Sequence, residues 1–166
     1  MLTIEQMKQE VDNYKKMMPK YCTQEVKISI NPRLSKTLGR CCFNKNNLTG
    51  QINNLRIEIS KRVLEDERLT REVLKHEFIH WYCAASTGEN HGHDDFFKKQ
   101  CKYIGAVEER LMNPEYTEDL KSKYEVYCCV CGGLVAKYAR KSQTLKNINY
   151  CRSTCCEGKL KVVQNW

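Results

Sequence analysis

The chain has 166 residues, 29% of them charged and 41% hydrophobic, with 28 Lys and Arg against 20 Asp and Glu. That suits one ordinary domain, or a small domain with a smaller satellite, and excludes a disordered, collagenous or fibrous chain. No apolar run exceeds six residues, against the roughly 20 of a membrane span, and the start lacks a secretory leader, so a cytoplasmic chain with no membrane partner is expected.

From the N-terminus, Leu2, Ile4, Met7, Val11, Tyr14 and Met18 recur at helical spacing, Thr3 and Gln6 are placed as a capping box, and Pro19 stops the run. Val26, Ile28 and Ile30 alternate as in a strand. A second strand is expected over residues 38–43, with a turn over 44–50, and a third where Ile52, Leu55, Ile57 and Ile59 recur. These runs predict a helix followed by a small antiparallel sheet. Thr70 is then an N-cap for a helix over 70–85, with Val73, Leu74, Phe78, Trp81 and Tyr82 on its apolar faces and Gly88 after its end. Beyond a polar loop over 88–92, Asp94 and Asp95 suit the positive end of another helix, which turns Phe96, Phe97, Cys101 and Ile104 inward and closes at Gly105. A short helix over 107–112 and a linker over 113–123 follow. From Tyr124 on, brief β-type runs over 134–138, 147–150 and 160–163 carry too few large apolar residues for a core, so this segment needs a staple such as zinc.

Charge divides the chain in the same place. From Lys121 onward there are nine Lys or Arg against two acids, so this tail carries +7 of the net +8. A nearly neutral unit over 1–120 and a basic, partner-seeking unit over 121–166 are expected. Eleven cysteines in a reducing compartment persist as metal ligands or nucleophiles rather than disulfides, and the odd count with three adjacent pairs weighs against a disulfide framework.

All four histidines lie between positions 76 and 93, two of them in His76-Glu77-Phe78-Ile79-His80 inside a predicted helix. Residues four apart share a helix face, so both imidazoles can hold one Zn²⁺ while Glu77, one step round, reaches a water on the metal. Catalytic zinc takes a third protein ligand, and either His91 or His93 is placed to supply it. In the tail, Cys128-x-x-Cys131-Gly132-Gly133 has the form of a zinc knuckle. Cys151 lies within ribbon spacing of it, and Cys155 or Cys156 can complete the set.

These motifs resemble the SprT-like, or Spartan-like, zinc metalloproteases. The segment from Asn31-Pro32-Arg33-Leu34 to Gly39-Arg40-Cys41 is similar to the family's lead into a strand before the active helix. His76-Glu77-x-x-His80 followed by Gly92-His93-x-x-x-Phe97 is similar to its metal site. The resemblance implies His93 as third ligand. It implies an α+β fold in which a small zincin-type metalloprotease domain is followed by a C-terminal zinc ribbon. Cys156-Glu157-Gly158-Lys159-Leu160 resembles the ribbon's end, which implies Cys156 beside Cys128, Cys131 and Cys151.

Two zinc ions are therefore expected, one catalytic and one structural. Glu77 serves as general base, taking the water proton and passing it to the leaving amine. Asp94 and Asp95 read as helix caps in preference to hydrogen-bond partners of a zinc-bound imidazole. The resemblance implies an endopeptidase cutting proteins attached to DNA, including DNA–protein crosslinks. Tyr124, Tyr127, Tyr138, Tyr150 and Trp166 among the basic residues suit phosphate contact and base stacking, hence DNA of single-stranded character. The competing readings are a nucleic-acid-binding or regulatory module with a vestigial protease site, and a peptidase with no DNA role.

Overall fold

The capping box closes the first helix as expected: the Gln6 amide donates to Thr3 Oγ1 at 3.2 Å, and the Thr3 amide donates to Gln6 Oε1 at 2.8 Å. Helix α1 (Ile4–Met17) buries Met7, Val11 and Tyr14. The structure, a computed structural model, describes residues 1–20, 22–109 and 120–166. It divides into two compact units, Met1–Glu118 and Asp119–Trp166. Among the described residues no helix is long and apolar enough to cross a membrane.

In the first unit, strands β1 (Lys27–Asn31), β2 (Gly39–Lys45) and β3 (Ile52–Ser60) form one sheet in the order β1-β3-β2. β2 and β3 pair antiparallel, but β1 and β3 run parallel, so the sheet is mixed rather than antiparallel. The reason lies in β3, whose final residues are buried on both faces and therefore occupy the middle. The β2–β3 hairpin folds back so that β3 lies between β1 and β2, which leaves β2 at the edge. Asn54, at φ 55°, absorbs the odd step between Ile52 and Leu55.

Helix α2 (Glu67–Thr87) lies across the sheet, and Val73, Leu74, Phe78, Ile79 and Trp81 are buried along it. It starts one turn before the expected Thr70, because the Asp66 carboxylate accepts from the Leu69 amide at 2.9 Å and takes the cap. Thr70 instead donates its hydroxyl to the Val63 and Asp66 carbonyls. Gly88, in the left-handed region at φ 75°, ends the helix. Arg71 of α2 pairs with Glu10 of α1. Helix α3 (Asp95–Ile104) is capped by Asp94 and closed by Gly105, and buries Phe97, Cys101 and Ile104 against α2. Residues 107–109 are not helical, and the remainder of the expected short helix, with linker residues 113–119, lies outside the described residues.

The second unit is a three-stranded antiparallel sheet in the order β5-β4-β6, built from β4 (Tyr124–Cys128), β5 (Leu134–Tyr138) and β6 (Leu160–Gln164). The expected strand over 147–150 is instead a 3-10 turn, Ile148–Tyr150, following a one-turn helix α4 (Gln143–Lys146) capped by Ser142. A hydroxyl that takes the Leu145 amide starts a helical turn at that point, which overrides the β-branched Ile148. Few apolar residues are buried in this unit, chiefly Val126, Cys128 and Leu145.

Candidate metal centres

Helix periodicity places His76, Glu77 and His80 of α2 along a cleft of about 720 Å³ whose opposite wall is β2. The loop after α2 returns His93 to the same place. His93 Nε2 lies 3.0 Å from His76 Nε2 and 3.2 Å from His80 Nε2. Below them Phe97, fully buried, stacks on His80 at 4.2 Å and meets His76 and His93 edge-on at 5.2 and 4.9 Å. The aromatic four residues beyond His93 is thus the floor on which all three imidazoles rest.

Each helix imidazole has its far nitrogen beside a carbonyl, His76 Nδ1 2.9 Å from Val107 O and His80 Nδ1 3.3 Å from His91 O. A proton on Nδ1 satisfies that contact and leaves the Nε2 lone pair facing its neighbours. Burial holds His76 below the usual histidine range and takes His80 down to about 3, with the neighbouring histidines adding to it. His76 and His80 are thus neutral imidazoles whose Nε2 lone pairs face His93 Nε2. A cation is what such a set accepts, and tetrahedral zinc with nitrogens at about 2.05 Å asks for them about 3.3 Å apart. The histidine set fits zinc.

Glu77 is 8% exposed, and burial pushes its carboxyl up to about 7, opposed by the Cys41 amide, which donates to it. The glycine at position 39 allows this contact. A Cβ there would stand 2.7 Å from Val73 Cγ1 and 2.8 Å from Glu77 Cγ, so only glycine lets β2 sit this close to α2. His91, the other sequence candidate for third ligand, turns away: its Nδ1 lies 2.8 Å from Asp94 Oδ2 and its Nε2 3.1 Å from Thr87 Oγ1.

The second group lies in the second unit. The sulfurs of Cys128, Cys131, Cys155 and Cys156 all lie within 4.8 Å of one another. The closest pairs are Cys128 with Cys156 at 3.2 Å and Cys131 with Cys155 at 3.5 Å. Four thiols around a point, near the 3.8 Å spacing that zinc–sulfur bonds of about 2.3 Å impose, also fit zinc. Cys151, which spacing placed in the set, is not brought there, and its thiol lies 3.7 Å from the Asn147 carbonyl. The turn over 153–158 explains the difference. Glu157 takes a left-handed φ of 53° and the chain turns sharply, so that both adjacent cysteines, Cys155 and Cys156, reach inward.

Sequence reasoning missed Ser153. This side chain is buried, its Oγ accepts from the Gly158 amide at 3.0 Å and lies 3.3 Å from Cys128 Sγ. With the Cys131 and Val130 amides it draws the Cys128 thiol down to about 6, which favours the thiolate a metal needs. Gly158 is tied to the same sulfur, since a Cβ on it would come within 2.6 Å. The isolated Gly39 in a strand was a readable signal of close approach; no local pattern marks Ser153.

Three imidazoles with converging nitrogens and a buried carboxylate lie along an open cleft on an α+β frame, a group that can hold a metal ion. The family model for the SprT-like family matches residues 4–118, and the chain belongs to that family. Its metalloprotease-type function agrees with the three-histidine group and the four-cysteine cluster, both of which can bind metal. None of the curated proteins matches the chain.

Proposed function

We propose that this chain is a zinc endopeptidase that acts on proteins bound to DNA. The observation that carries the reading is the convergence of the three imidazoles of His76, His80 and His93 beside Glu77, across a cleft from the edge strand β2. His76, His80 and His93 would hold zinc in the first unit; Cys128, Cys131, Cys155 and Cys156 would hold it in the second. Zinc, when bound, lowers the pKa of water to about 7 and polarises a carbonyl. Glu77 takes the proton of the attacking water on its carboxylate and returns it to the leaving amine nitrogen. Burial raises this carboxyl in the metal-free chain, and the charge of a bound zinc would draw it back toward the ionised form that takes the proton. The outer edge of β2 offers backbone groups to an extended peptide, which adds as a strand along the cleft.

The DNA role rests on the second unit. It carries most of the net positive charge, and Tyr150, four residues after Lys146 and two before Arg152 in the sequence, is 88% exposed. A tethered nucleic acid would raise the concentration of bound protein at the cleft. The test is digestion of a DNA-binding protein by the zinc-loaded full chain, with and without single-stranded DNA, using Glu77→Gln as blank. Cleavage that depends on Glu77 and rises with DNA supports the proposal. Cleavage indifferent to DNA reduces it to a peptidase without a DNA role, and no Glu77-dependent cleavage removes it.

A further inference from the structure

We infer that His91 is a positioning residue that straps the third ligand into the zinc site, an inference that rests on the three-histidine zinc reading above. The loop between α2 and α3 carries His93 near its end and has glycines at 88 and 92. Gly88 adopts a left-handed φ of 75°, and a Cβ on Gly92 would meet no atom within 4 Å. Such a loop is intrinsically free to move, since glycine leaves the backbone with the most conformations to lose. Yet the site requires His93 Nε2 to stay about 3 Å from two other imidazoles.

His91 is what ties this loop at both ends. Its Nε2 lies 3.1 Å from Oγ1 of Thr87, the last residue of α2. Its Nδ1 lies 2.8 Å from Oδ2 of Asp94, the N-cap of α3 and the residue after His93. Its ring lies against Phe96, centroids 4.6 Å apart. The side chain is only 14% exposed. At the same time its carbonyl faces His80 Nδ1 at 3.3 Å, the contact that sets that ligand's tautomer. One residue therefore spans the end of one helix, the start of the next and the back of a ligand. Both of its ring nitrogens point away from the converging Nε2 atoms, so it acts through His80 and His93 and does not touch the metal. Asp94 has its other oxygen, Oδ1, on the Phe97 amide, which links the strap to the floor of the site.

The strap should govern how long zinc stays. The experiment loads the full chain with zinc and follows its transfer to a chromophoric chelator; His76→Ala identifies which phase belongs to the histidine site. His91→Phe keeps a ring against Phe96 and loses both polar contacts. It should release the histidine-site zinc roughly 10- to 100-fold faster, the range typical of lost outer-shell partners. His91→Asn, whose side-chain amide can still donate to Asp94, should fall between parent and His91→Phe. The melting temperature of the zinc-free protein should not follow this order, which separates positioning from bulk structure. Thr87→Val removes the other anchor and should shift the same phase in the same direction, so the inference remains testable should His91→Phe fold poorly. A histidine phase present in the parent and within about threefold of it in His91→Phe would overturn the inference alone. A parent releasing no more zinc than His76→Ala would remove the three-histidine zinc site itself, and the strap with it.

Discussion

Replacing Gly39 with Ala probes whether the edge strand and the general base are one assembly. The added methyl would stand 2.7 Å from Val73 Cγ1, 2.8 Å from Glu77 Cγ and 3.2 Å from Glu77 Oε1. Carbon pairs settle at about 3.5–4.0 Å, so two contacts fall short by about 1 Å. Neither neighbour can swing aside, because Val73 is 1% exposed and Glu77 8%, and Phe78 and Trp81 hold α2 in the core. The strand must give instead, since among the described residues no strand pairs with the outer side of β2. Overpacking of this kind costs about 1–3 kcal/mol. Moving β2 also draws the Cys41 amide away from the Glu77 carboxylate, and a displacement near 1 Å at a reacting group can cost about 10²-fold in rate. The assay is a urea unfolding midpoint together with the cleavage rate of the zinc-loaded chain. Val73→Ala in the same background should recover part of the stability, because it removes the atom at 2.7 Å. A midpoint and a rate both equal to the parent's would refute the packing argument. Lower stability with parental cleavage would show that α2 alone places Glu77.

Three further outcomes are expected. Glu77→Gln should keep its zinc by metal analysis while cleavage falls by about 10²-fold or more, because an amide cannot take the water proton; a loss under tenfold would exclude Glu77 as base. Cys128→Ser should cost one of two zinc ions and unfold the second unit, leaving the histidine zinc in place, as metal analysis and limited proteolysis would report. The third concerns acid. Asn31, then Arg40 and Arg56, hydrogen-bond Glu58 and hold its carboxyl below the usual range, so its stabilising effect is present above the unfolded value near 4.3 and lost as pH falls through the folded one. The stability gap between parent and Glu58→Gln should therefore close below about pH 4; a gap constant from pH 7 to pH 3 in urea titrations would refute it.

What the sequence made legible follows how local the physics is. His76 and His80 could be placed together because four residues are one helical turn, and the cap at Asp94 could be read because it is settled within three residues. His93 over His91 could not be decided from spacing, since it depends on where a glycine-containing loop returns; the resemblance supplied that choice. The parallel pairing of β1 with β3 was hidden for a similar reason, as strand order is set by which strand is buried on both faces and not by sequence adjacency. At the start of α2, Asp66 and Thr70 both carry capping side chains four residues apart, and the choice rests on the Thr70 hydroxyl having the Val63 carbonyl to bond. Cys151 was favoured because the 19 residues between it and Cys131 fit the spacing of a four-cysteine ribbon. The left-handed Glu157 that brings two adjacent cysteines inward has no marker in the sequence.

The two centres ask different things of their metal. In the first unit the imidazoles rest on Phe97, inside a core that includes Met7, Val11, Ile57, Ile59, Phe78 and Trp81, so the donor set is held by packing that needs no ion. Zinc there is free to serve chemistry, and its removal should leave the fold standing. Among the described residues of the second unit the comparable packing is that of Val126, Cys128 and Leu145, and one of those three belongs to the four-cysteine cluster. Four thiols drawn within 4.8 Å repel one another once ionised, so their closeness favours folding only if a cation joins them. The same element would then be a reagent in one half of the chain and a core in the other, which is why chelation should abolish cleavage through the first unit and structure through the second.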